Sequence, residues 1–127
     1  MNKSYIAIDG DDVGLHLRTY IINEEIENVS KFSKELDTYF KEISKFLSFY
    51  GYEIVFCGGD SVLAYIRGGE LTNIVELLPV GVCTISVGIS NSAEKAYLAL
   101  QLAKARGKAQ AVTLKNAEAT TIKTWGC

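Results

Sequence analysis

The chain is poor in the residues that usually announce a specialised class. Its 127 residues include one proline, Pro79, one histidine, His16, and one tryptophan, Trp125. No Pro/Gly/Ser-rich stretch marks a linker, and 48% hydrophobic content suits one core, so residues 1–127 read as a single domain. Cys57, Cys83 and Cys127 make an odd set without metal-type spacing, which argues against a disulfide framework or a zinc site. Reduced thiols in a cytoplasmic protein are the expectation. No apolar run approaches a membrane span, and the N-terminus lacks a charged-then-apolar leader, so no membrane association is expected. Basic residues are not in excess: the net charge is −2, and no long nucleic acid is expected as a partner. A local basic cluster can still hold a nucleotide. His16 has no partner in the sequence and reads as a surface or packing residue.

What is present is strong periodicity. Tyr5–Ile8 reads as a central strand, and Val13–Ile22 as a short helix or lid. Asn23 is placed to cap a long helix whose apolar stripe runs from Ile26 through Phe32, Leu36, Tyr39, Phe40, Ile43 and Leu47 to Tyr50, with Gly51 ending it. Tyr52–Cys57 and Val62–Ile66 read as a hairpin, Leu71–Leu78 as a helix, Val82–Ile89 as a strand, Ser92–Arg106 as an amphipathic helix and Ala111–Leu114 as the last strand. The order is an α+β, ferredoxin-like β-α-β-β-α-β arrangement with an extra helix and strand. It predicts an antiparallel sheet with helices mainly on one face.

Two acidic clusters stand at strand ends beside glycine. Gly58-Gly59-Asp60-Ser61 joins the hairpin strands, and Asp9-Gly10-Asp11-Asp12 ends the first strand. Each alone is an ordinary polar turn. In the predicted topology the first strand lies beside the hairpin, which brings Asp9 and Asp60 together. Hard cations such as magnesium take oxygen ligands, commonly one or two carboxylates with substrate phosphates completing the shell. The Gly10 carbonyl is a third candidate oxygen. Lys104, Arg106 and Lys108, at the end of the last helix, either clamp triphosphate oxygens or oppose the helix dipole, and the residues alone leave these two roles open.

These motifs resemble the palm-type nucleotidyl cyclase and polymerase superfamily, which includes the GGDEF diguanylate cyclases and the palm of type III CRISPR signalling subunits. Ile8-Asp-Gly-Asp-Asp-Val-Gly14 is similar to the metal-binding first strand of the CRISPR palms, and Gly58-Gly-Asp-Ser61 stands where those proteins have GGDD or GGDEF. Thr84–Ile89 and Ala93–Gly107 are similar to the closing strand and helix of the cyclases. With one small palm over nearly the whole chain, it looks most like the minimal CRISPR polymerase (mCpol) group.

The resemblance implies Asp9 and Asp60 as catalytic metal ligands assisted by the Gly10 carbonyl, with Asp11 steadying the second of two Mg2+ or Mn2+ ions. It implies Lys104 at the β and γ phosphates, with Arg106 and Lys108 adding to that grip. Gly58, Gly59 and Ser61 would line the nucleotide. Ser61 departs from the acidic residue normally found there and leaves the second metal less tightly held. The implied activity is conversion of nucleoside triphosphates, ATP foremost, to a cyclic di- or oligonucleotide with release of pyrophosphate, in antiphage signalling through a separate effector protein. A homodimer is expected, because one small palm accommodates about one nucleotide. The rival expectation is a catalytically weak or inactive palm serving as a nucleotide-binding sensor or interaction module.

Overall fold

A computed structural model describes residues 2–68 and 73–126. It contains one six-stranded sheet in the order β2-β3-β1-β4-β5-β6. The strands are β1 Lys3–Gly10, β2 Glu53–Gly58, β3 Ser61–Arg67, β4 Ile85–Ser90, β5 Gln110–Lys115 and β6 Glu118–Thr124. The helices are α1 Val13–Ile22, α2 Ile26–Phe49, α3 Ile74–Leu77 and α4 Ala93–Ala105. All strand pairs are antiparallel except β4 and β5, which run parallel. The first four strands reproduce the expected ferredoxin-like order, and β5 and β6 extend it.

The sheet is buried from both sides because β1 is apolar at consecutive positions. Ile6 and Ile8 meet Leu36, Tyr39, Phe40, Ile43 and Leu47 of α2 and Ile74 and Val75 of α3 in the main core. Ala7 points the other way and packs under Ala96 and Leu100 of α4. Helices α2 and α3 share the main-core face, as expected of helices mainly on one face, and α4 covers the opposite one. Without it Ala7, Leu63 and Val112 would be left in water, and period-two alternation allows them no other side.

Beyond shifts of a residue or two at element ends, the structure differs from the sequence reading in three elements and adds a strand. Asn23 closes α1 rather than capping α2, since Glu24 turns the chain at φ 58° and Glu25 takes the cap position. The strand expected from Val82 starts at Ile85, because Thr84 is diverted to bond the chain at Asp11. The helix expected over Leu71–Leu78 is confined to Ile74–Leu77, with Leu71 and Thr72 lying outside the described residues. Strand β6 was not expected. It is launched by Asn116 and Ala117, both in the left-handed region (φ 50° and 64°), as a tight hairpin requires.

Two ring side chains, the exposed His16 and the half-buried Trp125, make contacts with apolar neighbours. The His16 ring lies 5.3 Å from Phe32, and Trp125 packs against the main core. No helix among the described residues is long and apolar enough to cross a membrane.

Packing of α4 depends on Gly88. A Cβ there would lie 2.1 Å from the Ala96 carbonyl oxygen and 2.2 Å from the Leu100 nitrogen, both backbone atoms that cannot swing aside. Gly88→Ala is expected to destabilise the fold by about 3 kcal/mol or more, the upper end of overpacking costs. Urea unfolding followed by circular dichroism checks this, the outcome being a lower midpoint at unchanged slope.

Candidate active site

The end of β1 is held from both sides, and that is what assembles the site. On one side Asp9 lies in register with Ser61 of β3, and the Gly10 N–H donates to the Asp60 carbonyl at 2.8 Å. On the other, Asp9 lies opposite Ser86 of β4, and the Asp11 N–H donates to the Thr84 carbonyl at 2.9 Å. The hairpin strands end at Gly58 and restart at Ser61, so Gly59 and Asp60 form its two-residue tip, with Gly59 at φ 59°. Gly10 permits the close approach: a Cβ there would lie 3.2 Å from the Asp60 Cβ and 3.0 Å from Val13 Cγ2. The two acidic stretches, about fifty residues apart in the chain, thus meet at one corner of the sheet.

The electrostatics of this corner are those of crowded anions around one cation. Lys104 projects from the last turn of α4 and its ammonium lies 3.2 Å from Asp9 Oδ2, 3.2 Å from the Gly10 carbonyl and 3.4 Å from Asp11 Oδ1. Ser61 Oγ donates to Asp9 Oδ1 at 2.5 Å. Burial, followed by the neighbouring Asp9 carboxylate, pushes the Asp60 carboxyl above the ordinary carboxylate range. Asp60 is therefore the acid whose charge the protein itself compensates least.

Several residues expected at the site have other duties. Asp11 is 2% exposed and accepts hydrogen bonds from Ser86 Oγ (2.7 Å), Thr84 Oγ1 (2.8 Å) and the Ala109 N–H (2.9 Å) besides the Lys104 ammonium. Its oxygens are thus engaged by protein donors in this structure. Asp12 forms a short ion pair with Lys108 that holds its carboxyl below the usual range. Lys108 is thus paired at the rim rather than extended toward the Asp9–Asp60 corner. The Arg106 guanidinium donates to Thr121 Oγ1 and the Ala119 carbonyl, both at 3.1 Å, latching the end of α4 to β6.

Gly58 lies against the Phe56 ring, while the space over Gly59 is open, with nothing within 4 Å of an added Cβ. Sequence reasoning missed Thr84, Ser86 and Ala109, whose hydroxyl and amide donors surround Asp11. Only the run of hydroxyls in Thr84-Ile85-Ser86 hinted at this. Cys57 and Cys83 are free thiols, and burial raises Cys83 to about 11, which keeps it unreactive. A cavity of about 730 Å³ lies at the other strand ends, lined by Lys3, Ser4, Ser90, Ser92, Leu114 and Lys115 among others. It is remote from the carboxylates and takes no part in this geometry.

Comparison with known proteins settles the family. The model of the minimal CRISPR polymerase domain, mCpol, matches residues 5–114. The chain belongs to the mCpol family. No curated protein matches it in sequence. Among solved structures it is similar to a diguanylate cyclase/phosphodiesterase from Caldicellulosiruptor saccharolyticus, with 18% identity, TM-score 0.56, and coverage of 94% of this chain and 80% of that one. It is also similar to the adenylyl cyclase CyaB from P. aeruginosa, with 15% identity, TM-score 0.54, and coverage of 91% and 78%. A bacterial light-regulated adenylyl cyclase matches at 17% identity and TM-score 0.51, over 89% and 75%. At such identities these likenesses establish a shared fold: the mCpol chain has the architecture of cyclase palms.

The donor set suits a hard divalent cation. Asp9 Oδ2, the Gly10 carbonyl and the Asp60 carboxylate are all oxygens, and the undercompensated charge of Asp60 is what a cation relieves. Asp11 and Asp12 are engaged by protein donors, and Ser61 donates to Asp9.

Because the folded state raises the affinity of Asp60 for a proton, its ionised form opposes folding at neutral pH. That penalty is relieved as pH falls through the raised pKa. Asp60→Asn is accordingly expected to raise the melting temperature at pH 7, with the difference from the wild type shrinking toward pH 4. Added Mg2+ or Mn2+ is expected to stabilise the wild type and to have little effect on the variant. Thermal unfolding across pH, with and without the metal, measures both effects.

Proposed function

We propose that this mCpol protein is a metal-dependent nucleotidyltransferase. It would convert nucleoside triphosphates, ATP being the expected one, to a cyclic di- or oligonucleotide messenger with release of pyrophosphate. Antiphage signalling through a separate effector follows from the family resemblance as the expected setting. The observation that carries the reading is the convergence of Asp9, the Gly10 carbonyl and Asp60 beneath the Lys104 ammonium.

In this reaction a ribose hydroxyl of one nucleotide attacks the α-phosphorus of another, and the bond to the leaving pyrophosphate breaks. A bound Mg2+ or Mn2+ supplies Lewis acidity, lowering the hydroxyl pKa and neutralising charge on the phosphates. Asp9 and Asp60 are the side chains that would hold it, and Ser61 fixes the rotamer of Asp9 through its 2.5 Å hydrogen bond. Lys104, already aimed at the corner from α4, supplies positive charge for the departing pyrophosphate. The open space over Gly59 leaves room for a phosphate against the hairpin backbone.

A homodimer completes the proposal, because joining two nucleotides calls for two such corners facing one another. The surface beside the site supports it. Helix α1 buries none of its residues and exposes Leu15, Ile21 and Ile22, while Val55 and Phe56 are exposed on edge strand β2. Sedimentation in the presence of Mg2+ and ATP is expected to show a dimer, and a monomer alone would count against the two-palm arrangement.

The second reading, a nucleotide-binding sensor or interaction module without turnover, draws on two features. Ser61 replaces an acid, and the Lys104 ammonium is already satisfied by three protein oxygens. Mass spectrometry after incubation with the four ribonucleotides and Mg2+ or Mn2+ separates the two. A cyclic product with pyrophosphate supports the enzyme, and tight binding without product supports the sensor. Asp9→Ala and Asp60→Ala are each expected to lower product formation by on the order of 10²-fold or more, the scale of removing one charge-organising group, with the fold retained.

A further inference from the structure

Asp11 carries an unusual load for a carboxylate among apolar strands. Its four hydrogen-bond donors come from four separate places: Thr84 just before β4, Ser86 within β4, Lys104 on α4 and Ala109 in the turn after α4. Lys108 and Ala109 in that turn both have positive φ, 64° and 50°, although neither is glycine. The Ala109 N–H is fixed by Asp11 Oδ2 at 2.9 Å, so the carboxylate helps to hold a backbone that would otherwise relax.

Lys104 shows what this arrangement achieves. An ammonium has three protons, and here it has three oxygen acceptors: Asp9 Oδ2, the Gly10 carbonyl and Asp11 Oδ1. Two of these are the oxygens that the proposed function assigns to a cation. When a cation takes them, Lys104 loses two of its acceptors and retains Asp11, whose remaining oxygen sites are filled by hydroxyl and amide donors. Asp11 is thus the one anion that can stay with the lysine in both states. Held by Asp11 alone, the ammonium would have two protons left for other acceptors.

The geometry points to Asp11 as a positioning residue: a buried anchor that keeps the Lys104 ammonium in place when a cation claims Asp9 and the Gly10 carbonyl, so that the lysine grips the β and γ phosphates of a bound nucleotide. This rests on the nucleotide-binding reading above. It differs from that reading in making Asp11 act through Lys104 rather than on the cation.

The test compares binding of a non-hydrolysable ATP analogue with binding of AMP, both with Mg2+, by isothermal titration calorimetry. Thermal unfolding serves as the check on folding. Asp11→Asn is expected to reduce the preference for triphosphate over monophosphate about tenfold, the scale of losing an orienting partner behind a binding group, with AMP affinity little changed. Lys104→Gln is expected to lose the same preference, and the double variant to be no worse than Lys104→Gln alone. A merely structural role for Asp11 would weaken both nucleotides together and add to the lysine effect, and that result would overturn the inference. Should Asp11→Asn not fold, Thr84→Val, which removes one donor from the Asp11 carboxylate, is expected to give a smaller loss in the same direction, and an unchanged preference would count against it. A wild type that shows no preference for the triphosphate overturns the nucleotide reading and this inference together. A wild type that prefers the triphosphate, beside an Asp11→Asn variant that prefers it equally, overturns this inference alone.

Discussion

The antiparallel pairing of β1 with two neighbours at once is the constraint on which the rest of the molecule rests. A strand between β3 and β4 has both rows of backbone groups committed, so its register cannot slip without breaking two ladders. That register places Asp9 opposite Ser61 on one side and Ser86 on the other. The alternation of β1 then assigns Ile6 and Ile8 to the main core and Ala7 to α4. The positions that pack the sheet and the positions that end in carboxylates are thus fixed by a single choice of pairing. A slip by one residue would turn Ile6 and Ile8 onto the face under α4, where Ala7 packs, and Asp9 toward the main core.

Charge is the second organising term, and it pulls against the first. Three carboxylates, from Asp9, Asp11 and Asp60, crowd one corner that a single ammonium partly neutralises. Burial and like charge raise the proton affinity of Asp60, so the corner is destabilising in the absence of further positive charge. The three acids are handled differently. Asp11 is buried and accepts hydrogen bonds from hydroxyl, amide and ammonium donors, whereas the half-buried Asp60 is raised in proton affinity by burial and the Asp9 charge. Stability spent at a strand end in this way is what a site reserved for a cation and a polyanionic ligand would show.

Much of this was legible in the residues, and what was not has identifiable causes. The helical stripe of α2, the diglycine hairpin and the Ser92 cap of α4, whose hydroxyl accepts from the Lys95 N–H, follow from local chemistry that acts over a few residues. The meeting of Asp9 and Asp60 needed topology as well, and the βαββ order was strong enough to provide it. Three features were not legible, two because the contacting partners are distant in sequence and one because of a neighbouring turn. The guanidinium of Arg106 serves β6, a strand of Glu, Ala, Thr and Lys too polar to stand out by periodicity. Asp11 looked like another exposed turn acid, because nothing local shows that hydroxyls more than seventy residues away will surround it. Asn23 was a plausible cap until the adjoining turn, made by Glu24, moved the start of the helix.

Ser61 shows how a departure from an acidic motif can be coherent rather than merely a loss. It stands directly across the ladder from Asp9, where like charges on neighbouring strands are destabilising. A carboxylate at this position would require additional positive charge before the corner could close. The hydroxyl instead donates to Asp9 Oδ1, fixes that side chain and leaves Oδ2 turned toward Lys104. A hydroxyl here thus supplies an internal hydrogen bond and keeps the charge of the corner lower than a carboxylate would.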